Sequence, residues 1–129
     1  MQFDKDLNSE QAELFLEVRE YLTLEIQKYV EKVQEKYSDN ITSLFTKELS
    51  GGFCYIRTKE SGVHIGWFRG VNIEDKYGFL VGNGKQIRGQ IINKLDKSQK
   101  EAISYYVMQS YYVLVEKEEL KKIKCKGKS

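Results

Sequence analysis

The chain has 129 residues, which is the usual size of one domain and allows one hydrophobic core. Apolar residues make up 40% of it and charged residues 31%, a balance that excludes an intrinsically disordered chain. The formal net charge of +2 is too small to indicate by itself a protein that binds nucleic acids or anionic membranes. We expect a single domain over residues 1–129, with a core over about 8–116 and a basic tail over 117–129.

The first third of the chain predicts a long helix. Its apolar residues recur every three or four positions, which gives one stripe: Phe15, Val18, Leu22, Ile26, Tyr29 and Val33. Asn8 with Gln11, or Ser9 alone, offers an N-terminal cap, and the pattern continues to about Tyr37. Because nearly thirty residues exceed the usual length of a globular helix, we also expect a bend or break between Thr23 and Gln27.

The middle of the chain predicts antiparallel strands. Four β-rich runs cover residues 43–48, 53–58, 63–68 and 90–93. Gly51-Gly52 and the turn at residues 59–62 are too short to contain a crossover helix, so the first three runs should form a meander. Five glycines between Gly70 and Gly89 then predict a stretch rich in loops.

The last element is a second long helix. Ser98 and Glu101 match a capping box, and the apolar stripe continues through Tyr106 to Leu114. The lysines from Lys121 onward predict a solvated, frayed tail. We therefore expect an α+β fold of two layers, in which an antiparallel sheet of about four or five strands is covered on one face by long N- and C-terminal helices.

The composition of the chain indicates a cytoplasmic protein without a membrane segment. No apolar run approaches the roughly 18 residues that span a bilayer, and residues 1–6 lack the apolar segment of a signal peptide. The two cysteines, Cys54 and Cys125, show no metal-ligand spacing, and we expect free thiols. A disulfide between them is the weaker interpretation in a reducing compartment, and Cys54 is expected in the core.

The sequence shows no enzyme signature. Strand alternation places the single histidine, His64, on one face with Gly66 and Phe68, and we expect it to be partly buried and hydrogen-bonded, not catalytic. No serine lies in a nucleophile elbow, and no cluster of His and Cys has the spacing of a metal site. We therefore expect neither catalysis nor a cofactor.

Two surfaces are candidates for ligand binding. The segment at residues 82–88 has glycines that expose backbone N–H groups, with positive side chains nearby, and could hold an anion. The candidate residues of this anion site are Arg69, Gly82, Gly84, Lys85 and Arg88. The glycine spacing differs from that of a P-loop. The same sequence is also compatible with a plain hairpin or bulge whose basic side chains are solvated.

The second surface is an acidic ridge. Four glutamates recur along one side of the first helix: Glu10, Glu13, Glu17 and Glu20. Carboxylates can bind hard cations, but along an exposed helix they are usually only a solvated face.

Several motifs together resemble the YdhG-like family of uncharacterised domains. The strings are G-W-F-R-G at residues 66–70, then Asp75, then G-F-L at residues 78–80 and G-N-G-K-Q-I-R at residues 82–88. The family's usual wording is close to G-F-F-R-G, L-x-D and G-L-L-x-G-T-G-K-x-M-R-H, from which Asn83 and Gly89 depart. The resemblance covers most of residues 10–115 and implies an antiparallel sheet covered on one side by terminal helices. Some members are described as frataxin-like iron chaperones.

These observations leave two hypotheses open. The first is a non-catalytic domain that binds a small anion or an acidic protein partner through the residue 82–88 region. The alternative, implied by the resemblance, is an iron chaperone whose cargo binds the acidic ridge, by analogy of position. We expect no nucleic-acid partner, because the basic tail carries no interleaved aromatic residues. The sequence does not select an oligomeric state.

Overall fold

Five antiparallel strands and three α-helices are present in the computed structural model, which describes the backbone of residues 1–126 and the side chains of residues 1–124. The elements in chain order are α1 (Gln2–Leu7), α2 (Ala12–Ile26), β1 (Gln34–Tyr37), β2 (Thr42–Phe45), β3 (Gly52–Lys59), β4 (Gly62–Trp67), a 3-10 turn (Gly70–Asn72), β5 (Arg88–Ile92) and α3 (Lys97–Lys126).

The sheet is a simple meander in the order β1-β2-β3-β4-β5, and every pairing is antiparallel. The four predicted strands correspond to β2 to β5, and the α+β class is confirmed. Between β2 and β3 the register shifts, so that Leu44 lies opposite Cys54 and Phe45 opposite Gly52. The extra residue is Phe53, and this bulge allows both Phe53 and Cys54 to be buried.

The core lies between one face of the sheet and the two long helices. Cross-strand neighbours Ile56 and Ile65 are fully buried on this face. The helices contribute the other half, with Phe15, Val18, Leu22 and Ile26 from α2 and Ala102, Ile103, Tyr106, Val107 and Leu114 from α3. The buried position of Cys54 confirms its prediction as a core residue, and burial raises the pKa of its thiol.

The predicted helix up to Tyr37 is wrong after residue 26. α2 ends at Ile26, within the segment where a break was expected, and the chain then forms the edge strand β1. The last turn tightens through hydrogen bonds from the N–H groups of Lys28 and Tyr29 to carbonyls three residues earlier. At the other end, Gln11 is the N-cap, and Ser9 organises the preceding turn by accepting from the Gln11 N–H at 2.8 Å.

The tail is solvated as predicted, since residues 121–124 are exposed, but the prediction that it is frayed is wrong for the described residues, because α3 continues to Lys126. Glu118 in this extension accepts a hydrogen bond from the Ser50 N–H at 2.5 Å. At the start of α3, Asp96 and not Ser98 caps the helix, since its carboxylate accepts from the Gln99 N–H at 2.9 Å. None of the helices in residues 1–126 is both long and apolar enough to cross a bilayer. The predictions for the Cys125 side chain and residues 127–129 lie outside the described residues.

Candidate binding site on the open face of the sheet

The face of the sheet opposite the core is the open face, because in the described chain both long helices pack on the other side. The strand register assigns its members, since residues paired across antiparallel strands share a face. They are Gln34, Lys36, Ser43, Phe45, Gly52, Tyr55, Arg57, Lys59, Gly62, His64, Gly66, Gly89 and Ile91. This face is where polar and charged groups of several strands meet.

The open face is cationic. It carries Lys36, Arg57 and Lys59, and none of its strand residues is Asp or Glu. Among the ion pairs of the described residues, none involves these three side chains. The Arg57 Nε atom is buried and has no hydrogen-bond partner in the described chain, which is uncommon for a guanidinium. The face therefore has positive side chains that form no ion pair with a carboxylate of the described residues.

His64 lies in the middle of this charge, opposite Arg57 on β3 and Ile91 on β5. It is half-buried, as predicted, and its ring packs edge-on against Tyr55 with centroids 5.6 Å apart. The predicted hydrogen bonding is not seen at Nδ1, which is buried without a partner in the described chain. Burial, together with the charges of Lys59 and Arg57, lowers the pKa of His64 below its usual range, so its imidazole is neutral at pH 7.

The glycine-rich segment at residues 82–88, which we call the glycine loop, forms a hairpin that leads into the start of β5. This is the plain-hairpin alternative that the sequence left open. Val81 and Gly89 exchange two backbone hydrogen bonds of 2.8 Å. Gly82 has a φ of 120°, a conformation that residues with a Cβ rarely adopt. Among the backbone hydrogen bonds of the described residues, none is donated by the N–H of Gly82, Asn83 or Gly84. These exposed N–H groups are free to bind a ligand.

This hairpin and the open face enclose a cleft of about 480 Å³, which we call the His64 cleft. Its walls bring strands β3, β4 and β5 together with the glycine loop, and none of its lining residues is acidic. The lining residues are Tyr55, Lys59, Ser61, His64, Val81, Gly82, Asn83, Gly84, Ile87, Gly89 and Ile91. The cleft therefore combines a lysine, a histidine and unpaired backbone N–H groups.

The structure brings only part of the predicted anion site together. Gly82 and Gly84 line the His64 cleft, but Arg88 turns into its own loop and donates to the carbonyls of Gly84 and Ile87 at 2.5 and 3.0 Å. Arg69 lies in a separate groove beside the C-terminal part of α3, and Lys85 is exposed outside the cleft lining. Arg88 thus stabilises the loop through hydrogen bonds to its carbonyls, and Arg69 does not line the His64 cleft.

Lys59 and His64, and not those arginines, are the basic side chains that line the cleft. The sequence did contain a signal for them, because the short turn at residues 59–62 fixes the register of β3 against β4. That register places Arg57 opposite His64 and leaves Lys59 at the end of the same face.

Asp75 positions the chain that leads into the glycine loop. Its carboxylate accepts hydrogen bonds from the N–H groups of Gly78 and Leu80, at 2.9 and 3.3 Å, and from the hydroxyl of Tyr106 on α3. Burial and this hydrogen bond raise the pKa of Tyr106. The loop is therefore anchored to the core immediately before Val81, a role that the sequence motif alone did not reveal.

A second depression lies toward the β1 edge of the open face, and we call it the Phe68 cleft. It has a volume of about 540 Å³, and none of its lining residues is acidic. Lys36, Phe45, Lys47 and Phe68 are among the residues that line it. The Phe68 ring lies 5.8 Å from the Tyr55 ring, which belongs to the His64 cleft, so the two clefts are neighbours.

The acidic ridge is exposed and does not form a compact site. Glu13, Glu17 and Glu20 lie on α2, whereas Glu10 lies in the turn before it, and all four face solvent. In the part of the chain that the structure describes, no group of three or more His, Cys, Asp and Glu residues is arranged to hold a metal ion.

Comparisons with protein-family models, with curated proteins and with solved structures found no match to this chain. The resemblance to the YdhG-like family, and the iron-chaperone role of some of its members, stay predictions. An inference about function therefore rests on the residues of the open face.

Proposed function

We propose that the domain is a non-catalytic binding module that holds a small anion, such as a phosphate or a phosphorylated metabolite, in the His64 cleft. The observation that carries the proposal is the cleft's composition. Lys59, His64 and the glycine loop, whose N–H groups donate no backbone hydrogen bond in the described chain, line one space, and none of its lining residues carries a carboxylate. Such a combination favours an anion, because each group either carries positive charge or donates a hydrogen bond.

Each group has a distinct role in binding. The N–H groups of Gly82 and Gly84 would donate to anion oxygens, as backbone amides do in anion-binding nests. The Lys59 ammonium would supply a full charge. His64, neutral in the free protein, would gain a proton as the bound anion offsets the charges of Lys59 and Arg57 that now disfavour it. Binding is thus coupled to proton uptake by one residue.

The cleft offers little for catalysis. Ser61 is the one serine among the lining residues and would be the candidate nucleophile. No hydrogen bond joins its hydroxyl to His64 in the described chain. None of the lining residues is a carboxylate that could orient the imidazole, so the cleft lacks the contacts of a nucleophile, a base and an orienting group. We therefore propose recognition without chemistry.

The single histidine makes the proposal directly testable by NMR. We expect that inorganic phosphate shifts the His64 imidazole signals and raises the pKa of His64, because the anion stabilises the imidazolium. The Lys59→Gln variant should bind phosphate about fivefold more weakly, because an exposed ion pair contributes up to about 1 kcal/mol. Lys122→Gln, a lysine exposed on α3, is the matched control and should bind as the unaltered protein does.

The opposite result would be clear. If His64 signals and their pH titration stay unchanged at millimolar phosphate, pyrophosphate and nucleoside monophosphate, while the protein remains folded, the cleft is not an anion site.

A further inference from the structure

The open face extends well beyond the His64 cleft. Five strands spaced about 4.8 Å apart make it roughly 19 Å wide. The His64 and Phe68 clefts occupy its two sides, and the Tyr55 and Phe68 rings, 5.8 Å apart, join them. A single small anion would fill only one end of this surface.

Positive charge covers this surface from β1 to the central strand β3. Lys36 and Lys47 line the Phe68 cleft, Arg57 lies on the central strand, and Lys59 lines the His64 cleft. Neither cleft is lined by an acidic residue. Charge at this spacing complements a ligand with several anionic groups along its length.

Aromatic rings lie between these cations. Phe45, Tyr55 and Phe68 are each partly exposed on a face where most neighbours are polar or glycine. Gly66 makes room for the Tyr55 ring, since a Cβ there would lie 2.0 Å from its Cε2 atom. Gly52 similarly faces Phe68, whose ring would lie 2.9 Å from a Cβ at that position. The glycines thus allow rings to lie close against the sheet with their outer surfaces available.

We propose that the open face binds single-stranded nucleic acid, with bases stacking on Tyr55, Phe68 and Phe45 and with phosphates contacting Lys36, Arg57 and Lys59. An antiparallel sheet with exposed rings commonly stacks two or three bases in this way, flanked by cations. An acidic peptide would use the cations but leave the rings without a partner. The inference rests on the proposed function, because the His64 cleft would hold one of the phosphates.

From the sequence we expected no nucleic-acid partner, because cations and aromatic residues are not adjacent in the basic tail. Lys36, Arg57 and Phe68 are far apart in sequence, and the meander brings them to one face. Net charge is also uninformative here, since the glutamates of α2 lie on the other side of the molecule.

The test is fluorescence anisotropy of the full chain with labelled ten-nucleotide oligouridine and oligothymidine. We expect saturable binding that weakens with salt, with a log–log slope of about −2 to −3 for three or four phosphate contacts. A duplex of the same length and a polyglutamate peptide are the comparison ligands and should bind at least tenfold more weakly.

Variants locate the binding on the open face. Tyr55→Leu and Phe68→Leu should each weaken binding about tenfold through lost stacking. Lys36→Gln, a change at the exposed edge strand that should leave folding intact, should weaken binding and flatten the salt slope by about 0.7. Tyr112→Leu and Lys122→Gln, exposed on α3, are the matched controls and should have no effect.

The outcomes separate the two proposals. Oligonucleotide binding that the open-face variants weaken and the controls do not would support the inference. If phosphate raises the pKa of His64 but the oligonucleotides bind no better than polyglutamate or duplex, the anion site stands and the nucleic-acid inference is wrong. If neither phosphate nor oligonucleotide binds, both proposals fail.

Discussion

Two glycines decide where the rings of the open face lie. Gly66 and Gly89 are register partners on β4 and β5, and each lies beneath a neighbouring side chain. A Cβ on Gly66 would meet the Tyr55 ring at 2.0 Å, and a Cβ on Gly89 would meet His64 Nε2 at 2.5 Å. Neither glycine has a positive φ, so their requirement is for space and not for backbone conformation.

We expect the Gly66→Ala variant to lower the free energy of unfolding by about 1–3 kcal/mol, because the new methyl group overlaps the Tyr55 ring. Gly84→Ala, whose Cβ would lie 3.6 Å from the nearest atom, is the control and should change little. In a Tyr55→Ala background most of the Gly66→Ala cost should disappear. Urea unfolding of the four variants measures this coupling, and additive effects would show that the ring does not occupy the space above Gly66.

An ion pair between two elements secures the edge strand β1. Arg19 on α2 donates to both carboxylate oxygens of Glu35, at 2.5 and 2.7 Å, and the Tyr37 hydroxyl donates to the same carboxylate. Burial would raise the pKa of Glu35, but the hydrogen bonds from Arg19 and Tyr37 outweigh it and hold the pKa below the usual range. A strand of four residues is in this way attached to a helix as well as to β2.

This ion pair predicts a pH-dependent stability. The Glu35→Gln variant should lower the free energy of unfolding at pH 7 by about 1–3 kcal/mol. A carboxyl whose pKa is lowered by folding stabilises the protein above its unfolded pKa and loses that effect as the pH falls through the folded value. The gap between the variant and the unaltered protein should therefore narrow below about pH 4. Denaturant titrations at several pH values test this.

Glu31→Gln, a change at an exposed carboxylate, is the matched control for Glu35→Gln. The Glu31→Gln change should leave the free energy of unfolding almost unchanged at every pH. A Glu35→Gln effect that stays constant down to low pH would show that the charge of Glu35 does not stabilise β1.

The elements that the sequence predicted correctly have a local signal, and those it missed do not. Alternation and glycine turns identify β2 to β5, and the apolar stripe identifies α2 up to Ile26. β1 has the sequence Gln-Glu-Lys-Tyr, which is rich in helix-forming residues and lacks the alternation of apolar and polar residues. Its strand conformation depends on contacts with β2 and Arg19. The extension of α3 continues through charged residues that favour helix but show no buried stripe.

At the scale of the whole molecule, the sequence located the region of the candidate site but not its partners. It pointed to the glycine loop, which the structure places in the His64 cleft. It paired that loop with Arg69 and Arg88 because they are near in sequence, yet their directions depend on α3 and on the loop carbonyls. The charges of the open face could be found only through strand register, which places Arg57 opposite His64.

The helical layer is made from both ends of the chain, and this predicts how truncation acts. The Tyr21 hydroxyl of α2 lies 2.8 Å from the Ser104 hydroxyl of α3, more than eighty residues later. A chain that ends at Ile92 would expose the buried side chains that α3 covers and should show no cooperative thermal unfolding. A chain that ends at Glu118 keeps the Ser50 contact and loses only residues 119–129, of which 119–124 are exposed. It should melt cooperatively by circular dichroism.

A meander in which strand order equals chain order also has a consequence for synthesis. As the chain leaves the ribosome, each hairpin can close on the one before it, because every strand pairs only with its neighbours along the chain. The sheet can thus be complete while its apolar face is covered by α2 alone. Until residues 97–126 have left the ribosome and formed α3, the apolar face of the sheet is only partly covered, and the nascent protein is prone to aggregation.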